Sequence, residues 1–417
     1  MFPISQYVIP HIPLISTGGE VYLMEDTRGS YCYQTHYNWR WVVEEAVSQL
    51  SAETSNSSLL PVFHQQLQRN KLPSAAYDLP RSLIKQYSLL RLEHLDEKGA
   101  LYTLWFSSPV LEFLDAKDEL YRAISSPASS SMTAPMPATQ LLPWDIADVG
   151  SVSMPSSPAL LKAALGSGGN SLYFVDSPDQ VIAIAKAHAE KAKSTPSFLD
   201  SLKTSYGRIP SWSLQSIIKS KRVQGGHKFQ IRAYIAVRDE HLYMYPNFEV
   251  RVPSWAEDTS TSQPVSEAVD FDMEMTGACG ARPYNHSRVK AETGRFMLSE
   301  IEELKRIGVE EKVTDLIMKA MLHLQPLIEA QRSKGTFPEV SGLQLCQMAV
   351  AGIDVMLSEE EVPYIVELNN NPAMPGEDKR MSEAYRRHLI TFVQSLILLG
   401  LCGSRSDKND NIFVKIW

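Results

Sequence analysis

Cysteine is scarce, and its spacing excludes two functions. Cys32, Cys279, Cys346 and Cys402 lie far apart, without the short pairs that ligate zinc or the density of a disulfide framework. Reduced thiols in a cytoplasmic protein are the expectation, and cytoskeletal, ciliary or nuclear residence would leave the same imprint. No uninterrupted apolar run reaches the ~20 residues that a membrane helix needs. The start, Met1-Phe-Pro-Ile-Ser-Gln-Tyr7, lacks the basic opening and apolar core of a signal peptide. Surplus positive charge is missing as well. A formal net charge of −8 argues against a general nucleic-acid binder. There is no Gly-Lys-Ser/Thr of a Walker loop and no internal repeat. What remains is a globular composition, in a chain of 417 residues that can bury two or three domains' worth of core.

Composition and punctuation suggest an N-terminal domain over 1–110, a central region over 111–210, a C-terminal region over 211–400 and a tail over 401–417. The first region mixes short strand-like runs with a helix near 39–50. Apolar spacing predicts a helix over 111–124, and Ser, Pro and Ala over 125–137 predict a loop. Two strands, 160–165 and 171–175, flank a glycine tip, and a helix follows over 178–194. A strand is expected over 212–218. Another, over 228–237, would form a hairpin with 241–251 through a tight turn. A polar, acidic loop is expected over 254–270. A helical region over 300–332 should kink or divide at Pro326. Two strands and a helix over 379–399 complete the prediction.

The stretch Val362-Pro-Tyr-Ile-Val-Glu-Leu-Asn-Asn-Asn-Pro372 is the most telling. Glu367 and Asn369 stand two apart at the end of an apolar strand, so both face one side. Met348-Ala-Val-Ala-Gly-Ile-Asp-Val-Met-Leu357 reads as a neighbouring strand with a single acid, Asp354. Asp354, Glu367 and Asn369 would make an oxygen-only set of the kind Mg²⁺ prefers. A surface hairpin with its acids in water is the plain alternative, although an acid within an apolar strand needs a partner.

Two further segments carry cations. Lys162 precedes Gly166-Ser-Gly-Gly-Asn170, where Gly168 and Gly169 would let backbone N–H groups approach phosphates. An ordinary hairpin turn would look the same. In Lys228-Phe-Gln-Ile-Arg232, alternation puts Lys228, Gln230 and Arg232 on one face, and Arg251 on the paired strand could join them. Such a face suits an anion, or it is simply solvated. The order, phosphate cations first and metal oxygens last, is more specific than any one motif.

In these segments the chain resembles the tubulin–tyrosine ligase-like family of the ATP-grasp superfamily. Lys228-Phe-Gln-Ile-Arg232 looks like the family's Lys-Phe-Asp-Ile-Arg strand. Gly352-Ile-Asp354 resembles its Gly-Phe-Asp strand, and Glu367-Leu-Asn-Asn-Asn-Pro372 its Glu-Val-Asn-x-x-Pro end. Weaker matches fall at Met136–Thr139, Leu161–Ala163, Trp212–Gln215 and Tyr284–Ser287, all in the family's order over about 130–395.

The resemblance implies an α/β (α+β) ATP-grasp fold, with nucleotide held between two sheet-containing subdomains. Lys162 and Lys228 would contact the nucleotide, with Gln215, Ile217 and Ile218 as the adenine hinge and Asn285 nearby. Arg232 would hold the γ-phosphate region, and Arg251 the incoming amino acid or the transferred phosphoryl group. Asp354, Glu367 and Asn369 would hold Mg²⁺. Gln230 in place of Asp, Tyr284 in place of Thr, and the hinge Gln-Ser-Ile-Ile depart from the family pattern.

The implied function is an ATP-dependent carboxylate–amine ligase. It would add an amino acid to a protein acceptor, such as a tubulin tail, through an acyl phosphate, by tyrosination, glutamylation or glycylation. Lys219, Lys221, Arg222, Arg288 and Lys290 could dock an acidic tail, or simply face water. The alternatives are a nucleotide-binding or catalytically inactive ligase-like protein acting by partner contact and an ATP-grasp small-molecule kinase.

Overall fold

A computed structural model gives the architecture. It describes residues 15–17, 20–25, 41, 42, 45, 46, 48, 49, 62–64, 90–95, 101–105, 110–125, 136–164, 172–193, 211–223, 227–238, 240–252, 294–334, 343–370, 372, 382–402 and 412–417. The glycine tip with Gly168 and Gly169, the acidic loop over 254–270, and Asn285, Arg288 and Lys290 lie outside these residues.

The strands, in chain order, are β1 (Ile15–Thr17), β2 (Glu20–Glu25), β3 (Val62–His64), β4 (Leu90–Leu95), β5 (Leu101–Trp105), β6 (Thr139–Leu142), β7 (Ala159–Ala163), β8 (Leu172–Val175), β9 (Trp212–Ser216), β10 (Arg222–Val223), β11 (His227–Lys228), β12 (Gln230–Arg238), β13 (His241–Met244), β14 (Glu249–Val252), β15 (Gly294–Met297), β16 (Leu343–Leu357), β17 (Pro363–Asn370) and β18 (Val414–Lys415). The helices are α1 (Glu112–Asp115), α2 (Lys117–Ile124), α3 (Pro178–Lys193), α4 (Glu302–Arg306), α5 (Val309–Lys334) and α6 (Glu383–Cys402).

A twelve-stranded sheet has the main path β15-β14-β12-β16-β5-β4-β2-β1-β3, with β17 paired to β16 and β13 to β12. Its pairings are antiparallel except β5 on β16. A four-stranded antiparallel sheet runs β6-β9-β7-β8. Mixed helix and antiparallel sheet is an α+β content.

Period two sorts β12 and β16 onto two faces. Ile231, Ala233, Ile235, Ala349, Ile353 and Val355 pack against the buried side of α5, where Val313, Ile317 and Leu324 recur at helical spacing. Tyr234, Ala236, Met348 and Val350 face the other way, under Leu389, Phe392 and Leu396 of α6. Gln230, Arg232 and Asp354 share that second face, nearer the N-terminal end of β12.

Several elements differ from the sequence expectation. The helix expected over 111–124 breaks at Ala116, which is extended. The Lys117 N–H donates to the Ala164 carbonyl instead of continuing a helical ladder. The strand over 228–237 is split, with Lys228 in β11 against Arg222 and β12 starting at Gln230. Its expected partner over 241–251 is two strands. β13 pairs with Ile235–Arg238 and β14 with Gln230–Arg232, the change of register falling around Pro246, which cannot donate to a ladder. The helical region over 300–332 divides at Gly308, whose φ of 65° favours glycine, and α5 runs through Pro326.

Candidate functional site

Asp354 of β16 and Glu367 of β17 are direct cross-strand partners, with a bulge immediately after Asp354. Asn369, two residues on, joins them. Its Nδ2 lies 3.1 Å from Asp354 Oδ2 and 3.2 Å from Glu367 Oε1. The expected oxygen set is therefore one cluster. On the other side of β16, Asp354 faces Arg232 of β12. The pair is buried and bidentate, Arg232 donating from Nε to Oδ1 and from Nη2 to Oδ2 at 2.8 Å. Gly352 makes this possible. A Cβ there would come within 2.7 Å of both Cδ and Nη1 of Arg232.

The row continues beyond Arg232. Glu249 of β14 is its cross-strand neighbour, and Arg251 stands two residues along on the same face. Glu249 is 0% exposed and accepts from Arg251 Nε at 2.7 Å, Arg295 Nη1 at 2.9 Å and the Tyr234 hydroxyl at 2.7 Å. Burial works against its ionisation, but Arg251 and then Arg295 outweigh it and hold the carboxyl well below the usual range. Among the described residues, Arg251 Nη2 is buried without a hydrogen-bond partner.

The four-stranded sheet supplies Lys162 and Gln215. Lys162 is 6% exposed. Burial, helped by Lys117 and opposed by Glu367, lowers its ammonium to about 8. Gln215 is buried and donates to Thr139 Oγ1 at 3.0 Å. Ile217 and Ile218 follow β9 outside any regular element, and the Ile217 N–H points to Ser156 Oγ at 3.4 Å. Lys228 lies on β11, and its side chain is outside the described set. Of the basic residues expected to dock an acidic tail, Lys221 is taken up by Glu361 at 2.8 Å.

Sequence reasoning missed Lys117. Its ammonium is 3.7 Å from Glu367 Oε2, and it links α2 to the acid pair. Burial opposes ionisation of Glu367, yet Lys117, followed by the contact with Asp354, brings the carboxyl down to about 2. A signal was present, since Lys117 sits three residues from both Leu114 and Leu120, on the apolar stripe of the predicted helix. Glu249, Arg295 and Tyr234 were also missed.

The signature of the tubulin-tyrosine ligase family matches residues 115–403, more than half of the chain. The chain belongs to the tubulin-tyrosine ligase family. That family is part of the ATP-grasp superfamily, and its members are generally ATP-dependent ligases that use ATP and Mg²⁺. Membership suggests an ATP-dependent ligase type of function. A search of curated proteins found no match.

The donor set suits a hard cation in its chemistry. Two carboxylates and the Asn369 amide converge, and turning that amide would present its oxygen in place of the nitrogen that now faces them. Among the described residues no group of three or more His, Cys, Asp and Glu is arranged for a metal ion. The candidate set has two acids, so nucleotide phosphates and water would have to complete it.

Proposed function

We propose that this protein is an ATP-dependent carboxylate–amine ligase that adds an amino acid to a protein acceptor. The observation that carries the reading is the cross-strand assembly of Arg232, Asp354, Glu367 and Asn369, next to Lys162 and Lys117. Cations and hard oxygens then alternate around one point. Asp354, Glu367 and Asn369 would hold Mg²⁺, which when bound neutralises phosphate charge.

The protein's own groups then position the reactants, which is most of what phosphoryl transfer requires. Lys162 and Lys117 face anionic oxygens from the side of the small sheet and α2. Lys228 is a further phosphate contact, and Gln215 with the backbone at Ile217 and Ile218 offers an edge for adenine. Arg232 and Arg251 face the charge that develops on the transferred group. Their burial strengthens that interaction by excluding water. In the reaction the substrate carboxylate takes the phosphoryl group, and an amine then displaces phosphate to form an amide. The acceptor is a protein with an acidic tail of the tubulin kind, in the cytoplasm.

A second reading has an observation of its own. Both oxygens of Asp354 already accept from Arg232, and Glu249 takes Arg251 Nε, so these charges are paired without ligand. A ligase-like protein that acts by partner contact would show this pairing permanently.

Thermal unfolding with and without Mg-ATP separates the two. Ligand at ~100 times its Kd adds about 2.7 kcal/mol. The ligase reading expects a shift that requires Mg²⁺ and shrinks in Glu367→Gln. No shift in the wild type favours the second reading.

A further inference from the structure

Lys117 is the charge whose contact with the acid pair the reading above leaves unexplained. Its main chain is pinned on both sides of the break at Ala116. The Lys117 N–H donates to the Ala164 carbonyl at 3.1 Å, and Asp115 Oδ1 accepts from the Asn370 N–H at 3.1 Å. The first bond reaches the end of β7, two residues from Lys162. The second reaches the end of β17, three residues from Glu367. With the backbone held, movement is left to the four-carbon stem, which brings the ammonium to 3.7 Å from Glu367 Oε2.

The balance of charge gives that contact its meaning. Asp354 and Glu367 are two carboxylates at one cross-strand step. Arg232 answers the first and Lys117 the second, so these four charges cancel. The two partners differ in kind. Arg232 is bidentate on Asp354, and their side chains are only 5% and 2% exposed. Lys117 meets Glu367 at the length of a loose ion pair, and the Glu367 side chain is 33% exposed. A planar fork on a carboxylate is hard to shift, whereas a point charge on a flexible stem exchanges readily. Lys117 is therefore the cation that another cation can replace. A divalent ion on the Glu367 carboxylate would stand beside that ammonium, and like charges so close oppose each other.

We infer that Lys117 is a built-in placeholder for the divalent cation: its ammonium neutralises Glu367 in the unloaded site and has to withdraw for the metal to bind. This rests on the metal and nucleotide reading above. It makes the acid pair a poor site for a bare divalent ion. Nucleotide changes this, because its phosphates give the withdrawn ammonium a new counter-ion, so metal enters with nucleotide and not ahead of it. A purely structural bridge from α2 to β17 would affect stability and leave metal affinity alone.

Mn²⁺ titration of the full chain without nucleotide, followed by electron paramagnetic resonance of the free ion, tests it. The wild type should bind Mn²⁺ weakly. Lys117→Met keeps the stem and removes the charge, and its Mn²⁺ affinity should rise about tenfold or more. Lys117→Arg restores the charge and should stay within about twofold of wild type. Adding Glu367→Gln to Lys117→Met should abolish the gain. Where Lys117→Met fails to fold, Lys117→Gln carries the same expectation. Equal or weaker Mn²⁺ binding in the charge-free variants would overturn the inference, and so would a gain that survives Glu367→Gln. Thermal unfolding of the same samples with Mg-ATP keeps two failures apart. A Mg²⁺-dependent shift in the wild type, with unchanged Mn²⁺ affinity in Lys117→Met, removes the inference alone. No shift in the wild type removes the ligase reading and this inference with it.

Discussion

One face of β12 has two halves that obey different rules. From Tyr234 to Ala236 it is apolar, lying under Phe392 and Leu396 of α6 with Met348 and Val350 beside it. From Gln230 to Arg232 it is ionic, flanked by Glu249 on one side and Asp354 on the other. Both halves are buried, and they meet at Tyr234, whose ring stacks on Phe392 at 4.4 Å while its hydroxyl reaches Glu249. The apolar half is stabilised by removing surface from water and tolerates approximate shape. The ionic half holds together only while every charge has its partner. Stability and function should therefore separate along a single strand.

The largest effect is expected in the apolar half. Phe392→Ala should cost about 3–5 kcal/mol of folding stability and leave nucleotide Kd within about twofold, measured by chemical denaturation and titration. A change in Kd as large as the change in stability would show that the halves are coupled. Next comes Glu367→Gln, which should lower turnover on the order of 10²-fold or more. Amide formation with acceptor peptides and ATP checks it, and turnover within a few-fold of wild type would sink the metal assignment.

Gly352→Ala should have an intermediate effect, because its new methyl meets Arg232 at 2.7 Å and Pro372 Cβ at 3.0 Å. Overpacking of this kind costs about 1–3 kcal/mol, and displacement of Arg232 should weaken Mg-ATP binding in the same variant. Normal affinity with reduced stability would mean that the arginine adapts.

The smallest effect is in pH. Lys162 is lowered from its ordinary 10.5 to about 8 in the folded state. Between those values the unfolded chain binds the extra proton, so this group alone makes stability rise with pH from about 8 to 10.5. A Lys162→Met variant should lack that increment when compared with wild type across the same range. Nucleotide affinity should move the other way, falling in wild type as pH passes about 8 and staying flat in the variant.

The sequence carried the acid pair well, because an isolated acid in each of two apolar strands and an i, i+2 spacing are local signals. Cross-strand pairing of Asp354 with Glu367 turned those signals into a site. Arg251 was legible in kind, but its relation to Glu249 was not. That contact depends on where β13 ends and β14 begins, which the register around Pro246 decides. Lys117 was hidden by the break at Ala116, since a tertiary bond to Ala164 overrides helical propensity there. Division at Gly308 instead of Pro326 has a similar cause. A positive φ ends a helix decisively, whereas a long helix with a well-buried face can carry one missing N–H.

The short strand β18 has a practical bearing. Val414 and Lys415 pair with β13, the Ile416 N–H donates to the Leu242 carbonyl, and Phe413 is buried against Tyr245. Deleting residues 412–417 would bare the hydrogen-bonding edge at Leu242–Met244 and expose an aromatic socket. Such an edge recruits strands from other molecules. Versions lacking these residues should precipitate at concentrations where the chain that keeps them stays clear.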